Sequence, residues 1–418
     1  MGLSGRPRSR RRMTRVGEYR EYLRIPGVKP LLLASTFGRL SYAMVSLAIF
    51  FQVQSITGSV GTAGLAVGLS SGLGAMTAGP RGLIVDRFAQ TRPLFAFVPA
   101  YAVSCLLLAF VARDALSAVL LSGLIGLTAP PINISIRPLW LDIVGQDRVR
   151  KAYSVDTAYH SLIMLVGPVL ATLVALNVSP TLAVAAVGAS MLVGGLLLAV
   201  NPHSRAWVPE AREHGETGLL RSPAIRFLAV EGALMGLSAG FITIGIPALA
   251  TVSGEQGMAG PVMSAMGVGA IIGTLWAGAK AKDIAPANGL RAATLLFAIA
   301  LLPLAFVPIG PWMVAVVLVA WAFIGPANVF YLEVIDVVRP RGTAVAALGT
   351  LWMIEGAGMA VGNAVGGVIA ESVNPHLTLA LGSLFAIASP ILFTIGMRGV
   401  LKPATRTTGA QALEAATT

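Results

Sequence analysis

Six side chains able to do chemistry lie inside stretches that otherwise carry almost no charge: Arg39, Tyr42, Asp156, His160, Glu231 and Glu355. A charge in hydrocarbon costs at least ~2.5 kcal/mol, so such groups turn toward a bundle interior or a wet cavity. Carboxyl and imidazole groups can carry protons, and Glu355 and His160 are the candidates for that task. Arg39 could hold an anionic group, or pair with Asp156 or Glu231 and lock helices together. Tyr42 follows Arg39 by about one helical turn and is expected on the same cavity face. A cavity with one Arg and few acids would suit a neutral or weakly anionic compound. No catalytic constellation, metal-ligand set or cofactor motif accompanies these residues. HExxH, GxxxxGK[ST] and GxSxG are all missing, and Cys105 is the single cysteine, read as a small packed side chain.

The elements that would position them are long and apolar. The chain is 56% hydrophobic and only 11% charged, where a soluble domain carries about 25% charged residues. A run of about 18 or more apolar residues reads as a membrane-spanning helix. Twelve such runs are placed near 31–54, 62–81, 93–112, 116–136, 152–176, 180–200, 225–251, 258–279, 290–309, 311–332, 344–370 and 377–397. Arg39, His160 and Glu355 then fall roughly 12–18 Å from one membrane face, near the middle of spans 1, 5 and 11. Asp156 and Glu231 lie shallower, in spans 5 and 7. Pro130-Pro131 is expected to kink span 4, because each proline removes a helix hydrogen bond.

Cations sort by side. With the amino terminus inside, every Lys and Arg except Arg39 and Arg113 falls in the arm, in an inner loop or in the tail. That placement predicts cytoplasmic amino and carboxyl termini in a cell-membrane protein. It also explains the net charge of +12 without nucleic acid. The basic residues from Arg6 to Lys29 are read as a cytoplasmic arm lying near anionic lipid. The expected organisation is a cytoplasmic arm over 1–30, a six-span bundle over 31–200, a cytoplasmic linker over 201–223, a second six-span bundle over 224–398 and a tail over 399–418. The segments VGPVLATLVALNVSP from Val166 and VGNAVGGVIAESVNP from Val361 coincide without a gap at Val, Gly, Ala, Val and Pro. They mark the ends of spans 5 and 11, and they put His160 and Glu355 at equivalent places.

Between spans 2 and 3 the sequence GLIVDRFAQTR, Gly82 to Arg92, is read as a short polar turn. Gly82, Asp86 and Arg87 match the loop G-x-x-x-D-R/K-x-G-R-R/K of the major facilitator superfamily, which the chain resembles; Ala89, Gln90 and Thr91 depart from it, and Arg92 comes one place late. The resemblance implies an all-α membrane fold of twelve helices in two pseudo-symmetric six-helix bundles, with spans 1, 5, 7 and 11 around a central cavity. It implies a cytoplasmic gate in which Asp86 meets the start of span 11, near Arg341 to Ala344, with Arg137 and Glu333 closing spans 4 and 10. Gly167-Pro168 resembles part of the superfamily's antiporter signature in span 5 and is read as a hinge, with Ile163, Ala171 and Thr172 departing from it. The mid-helix Arg of many drug antiporters is missing from span 4.

The leading expectation is a secondary active transporter, not an enzyme, that exports a small organic molecule in exchange for protons. It would work as a monomer in the bilayer, with no nucleic acid and no cofactor. An importer or uniporter on the same scaffold is the alternative. A membrane enzyme or receptor-like protein is a third, disfavoured by short outer connections and by loops poor in chemistry.

Overall fold

The computed structural model describes residues 25–207, 219–280, 284–339 and 344–396. Twelve spans cross it. They are α1 (Val28–Thr57), α2 (Val60–Phe88), α3 (Thr91–Phe110), α4a (Ala115–Thr128) with α4b (Ile132–Val144), α5 (Gln146–Asn177), α6 (Pro180–Val200), α7 (Pro223–Val252), α8 (Ala259–Lys280), α9 (Pro286–Leu301), α10 (Pro311–Val338), α11 (Ala344–Ser372) and α12 (Pro375–Gly396). Among the described residues eleven helices are long and apolar enough to cross a membrane, and the shorter α4a is apolar too. Lipid offers backbone groups no partners, so each span satisfies its own as helix. Proline opens α6, α7, α9 and α10, where its missing N–H costs nothing. Ser59 and Ser179 cap α2 and α6 by accepting from Thr62 N and Leu182 N.

The internal repeat runs far beyond the end of spans 5 and 11. Val28 and Pro223, which start α1 and α7, stand 195 residues apart, and so do their ends, Thr57 and Val252. The same spacing separates the starts of α3 and α9, the ends of α5 and α11, and the starts of α6 and α12. The two six-helix bundles are therefore one pattern used twice with no net insertion. Within the first, α1 packs on α6 and α5, and α3 on α6; within the second, α7 packs on α12 and α11, and α9 on α12. Between them, α2 packs on α11 and α5 on α8.

Two local expectations change. The turn read over Gly82 to Arg92 is almost all helix: α2 runs through Phe88, and the chain reverses at Ala89, φ +60°, and Gln90. After Pro80 the segment holds no proline, so nothing stops the ladder sooner. Span 4 is broken rather than kinked, because two adjacent prolines withhold two N–H groups and disfavour helix just before them.

Outward faces carry large apolar side chains, among them Leu116, Leu275, Phe306 and Trp312. Phe306 and Trp312 sit at span ends, the depth at which aromatics favour a bilayer interface. Cys105 is buried, as expected.

Candidate functional site

In the first bundle Arg39 is almost wholly buried and forked onto Asp156. Nη1 and Nη2 donate to Oδ1 and Oδ2, each at 2.8 Å, and Nε donates to Asn133 Oδ1 at 3.0 Å. The fork joins α1, α4b and α5. It cancels the Arg39 charge, so this residue offers no free cation to a ligand; the expected preference for neutral or anionic compounds loses its basis. One turn before Arg39, Thr36 Oγ1 lies 2.6 Å from Tyr159 OH. His160 is half-buried beside it on α5.

Tyr42 points elsewhere. Its hydroxyl donates to Pro130 O, at the break in span 4. Arg81 reaches the same break from α2: Nη1 donates to Ala129 O, Nη2 to Gly74 O, and Nε to Thr77 O at 3.0 Å. A helix end leaves carbonyls without partners and carries partial negative charge, so a guanidinium belongs there. Tyr42, Tyr101, Ser70, Ser71 and Gly126 line a cavity of about 150 Å³ beside this break. Arg81 escaped sequence reading, although Pro130-Pro131 signalled orphan carbonyls in need of a donor.

The second bundle holds the larger cavity, about 180 Å³, open to Glu231, Ser238, Phe297, Trp321, Asn328, Tyr331 and Glu355. Glu231 is 3% exposed, and its Oε1 accepts from Ser389 Oγ at 3.0 Å. Glue for this site is the crossing of α7 and α11. Along it Gly236 of α7 abuts the Glu355 and Met359 backbone, Gly240 meets Gly362, and Gly358 of α11 abuts the Ala233 carbonyl, the small-xxx-small pattern that lets membrane helices touch backbone to backbone. A Cβ built at Gly236 would sit 2.0 Å from Glu355 O. That contact places Glu355 a little more than one turn along α7 from Glu231.

The repeat explains where polarity falls. Thr36 and Glu231, Asn133 and Asn328, and His160 and Glu355 are pairs 195 residues apart, on α1/α7, α4b/α10 and α5/α11. Three positions are thus polar in both bundles. Asn328, missed from the sequence, could have been found by stepping from Asn133.

A family sequence profile, described as Major Facilitator Superfamily, matches residues 31–357. The chain belongs to the major facilitator superfamily. An uncharacterized MFS-type transporter, y4rN of Sinorhizobium fredii (strain NBRC 101917 / NGR234), is 25% identical over 406 residues, covering 90% of this chain and 95% of that one. Among solved structures, a glutamate-to-glutamine mutant of the peptide transporter POT in complex with sulfate superposes with TM-score 0.71 at 14% identity, over 90% of this chain and 95% of its own. The nucleoside transporter NupG gives 0.67 at 13%, over 88% and 98%. A POT family transporter in complex with 5-aminolevulinic acid gives 0.70 at 12%, over 88% and 96%. At these identities the structures establish the fold and nothing finer.

In this facilitator the motif residues are placed as follows. Gly82 lies within α2, and a Cβ there would meet no atom within 4 Å. Arg87 is exposed, its guanidinium carbon 5.4 Å from the Phe88 ring centre, and Arg92 is exposed at the start of α3. Glu333 is exposed on α10. The side chains of Asp86 and Arg137, and residues 341–343 where Asp86 was expected to dock, lie outside the described residues. Gly167 packs α5 against Ala43 of α1, and the Pro168 carbonyl faces Gly260 of α8; α5 runs unbroken through both. Phe50 and Phe241 are core, whereas Trp276 and Trp352 are exposed.

The two ends of the α2–α11 interface differ. Near Ser59, Gly64 and Gly68 press on Gly367, Asn363 and Ala360. Glu371 Oε2 there accepts from Ser59 Oγ at 2.6 Å and from Gly61 N. Toward the other end, Gly79, Gly82 and Gly349 each face open space. Near the Ser59 end α5 meets α8, where Ser264 Oγ donates to Leu165 O at 2.6 Å and Gly260 meets Thr172.

Proposed function

We propose that this facilitator is a gradient-driven exporter of a small organic molecule, exchanging it for protons by alternating access. The observation that carries the reading is the pair Glu231 and Glu355, two carboxylates lining one cavity at the crossing of α7 and α11. A carboxylate pair can bind a substrate while charged and release it on protonation, so occupancy by protons and by cargo exclude each other. The α2–α11 interface, packed near Ser59 and with Gly79, Gly82 and Gly349 facing open space toward its other end, supports a rocking motion about the cavity. The shut end is assigned to the outside and both termini to the cytoplasm of a cell-membrane protein, on the sorting of its cations. Bundles over 31–200 and 224–398 would be the moving bodies, with 201–223 as their linker, and the protein would act as a monomer.

Asp86 would dock on the start of α11 when the inner end shuts, as the superfamily resemblance implies. Glu371 meets the start of α2 in the present conformation, so each helix of the antiparallel pair would cap the other in turn. An anion at a helix start is worth roughly 0.3–1 kcal/mol, enough to bias two states without freezing either.

Proteoliposomes holding a pH-sensitive dye test the coupling. Adding a transported compound should move protons in the opposite direction, and Glu355→Gln should abolish that flux. Unchanged proton movement in Glu355→Gln would end the coupling reading. Proton and compound moving the same way would make the protein an importer.

A further inference from the structure

Resting on that transport reading, we propose that the cavity of the second bundle takes an organic cation, a protonated amine carrying an apolar or aromatic group. Its counter-charge comes from Glu231 and Glu355. No Lys, Arg or His is among the residues lining the cavity. Two arginines of the first bundle are engaged within it: Arg39 is forked onto Asp156, and Arg81 holds the Ala129 carbonyl at the broken span.

Charge alone would not distinguish a ligand site from an acidic patch; the walls do. Ser238 is 1% exposed, lines the cavity, and its Oγ has no hydrogen-bond partner among the described residues. The Tyr331 hydroxyl, on the same wall, is likewise without one. Buried hydroxyls are rarely left unpaired in a finished core, so both await a partner. A primary ammonium brings three donors, and both hydroxyls can accept. Phe297 and Trp321 meet edge to face, centroids 5.4 Å apart, and with Met235 and Ile242 form the apolar side. A tryptophan or tyrosine face attracts a cation within about 6 Å. The space of about 180 Å³ compares with the ~150 Å³ that holds benzene in an engineered cavity, so it suits one ring with a short alkylammonium.

The titratable groups on the cavity walls are Glu231 from α7, Tyr331 from α10 and Glu355 from α11; α9 contributes only Leu290, Thr294 and Phe297, and Ser389 of α12 bonds Glu231. A monovalent cation leaves the carboxylate pair with one uncompensated negative charge. Two buried carboxylates cannot both stay charged cheaply. One proton with one cation, or two protons alone, balances the pair. Binding the amine therefore expels about one proton, which is the exchange stoichiometry an antiporter needs.

The test is equilibrium binding to the full-length protein in lipid nanodiscs with no gradient. The probes share a shape: phenethylamine as the cation, phenylethanol as the neutral form and phenylacetate as the anion. Phenethylamine should bind at least tenfold tighter than phenylethanol, and phenylacetate should not bind. Calorimetry in two buffers of different ionisation heat should show release of about one proton. Glu355→Gln and Glu231→Gln should each weaken amine binding tenfold or more. Trp321→Leu, which leaves every charge in place, should weaken the amine more than the alcohol. No saturable amine binding, equal binding of amine and alcohol, or amine binding indifferent to Glu355→Gln would overturn the inference. A protein that exchanges some other solute for protons yet ignores the amine loses this inference and keeps the transport reading. One that binds the amine but never moves it has the opposite fate.

Discussion

Glu371 and Ser59 join the two bundles end to end: the carboxylate at the last turn of α11 accepts from the Ser59 hydroxyl at 2.6 Å, and also from Gly61 N in the first turn of α2. Ser59 is already the cap of α2, accepting from Thr62 N. One acid thus completes the start of a helix that belongs to the other half of the molecule. Because α2 and α11 run antiparallel, separating the bundles at this end must break both contacts.

Glu371→Gln should shift the resting population toward the state parted at this end. Hydrogen bonds to a charged group are worth more than neutral ones, but Glu371 is exposed, so about 1 kcal/mol is a fair figure, roughly a fivefold shift. Spin labels at Val178 and Val373, both exposed at the same end of opposite bundles, would report the longer distance as a growing fraction. Cys105 is the single native cysteine and can be removed first. An unchanged distance distribution in Glu371→Gln would show the contact to be passive.

Arg39 and Asp156 offer a contrast, since their pair lies within one bundle and should persist through transport. Breaking a buried pair leaves an unpaired charge and costs about 3–5 kcal/mol. Arg39→Leu or Asp156→Leu alone should therefore lower the melting temperature of the purified protein sharply. Joining the two should recover most of the loss, because an apolar pair of similar bulk needs no partner. If the double variant is stable and still binds phenethylamine, Arg39 is a strut. If it is stable and binds nothing, Arg39 shapes the binding site as well.

The sequence announced the spans well, because lipid forces one solution on any long apolar run and the cations of its loops set the order. Span ends matched to within a few residues wherever proline or serine marks a start, as at Pro180 and Pro311. Partnerships were less legible. Arg39 had two acids within reach in the sequence, Asp156 and Glu231, and only packing of α1 against α5 chose between them. Arg81 looked like an ordinary loop cation, because its charge lies just past an apolar run. Its role depends on a carbonyl 48 positions away, Ala129 O, at the helix end that the Pro130-Pro131 break creates. Glu371 was hidden for the same reason, with 312 positions separating it from Ser59.

Arg81→Ala should loosen the broken span. The guanidinium covers the Ala129 carbonyl at the end of α4a from α2, and a buried acceptor left bare costs about 1–3 kcal/mol. Arg81→Lys should recover part of this, since an ammonium can donate to fewer of the three carbonyls in that geometry. Hydrogen exchange over 126–131 would rise in Arg81→Ala, while exchange in α10, whose helix passes unbroken through Pro326, would stay as it was.

Gly236 and Gly232 separate the crossing of α7 and α11 from the cavity it creates. At Gly236 an added Cβ would lie 2.0 Å from Glu355 O, a backbone atom that cannot step aside, so Gly236→Ala must push the helices apart. Overpacking of this kind costs about 1–3 kcal/mol, and here it would also move Glu355 away from Glu231. At Gly232 the same methyl would meet the Tyr331 hydroxyl at 3.6 Å and Glu355 Cβ at 3.8 Å, ordinary contact distances. Gly232→Ala should fold normally and merely trim the cavity. Thermal melting and amine binding together give the check. Gly236→Ala should lose both stability and affinity, whereas Gly232→Ala should keep its melting temperature and change only which amines fit. Equal melting temperatures for the two variants would mean that the close crossing does not set the spacing of the carboxylates.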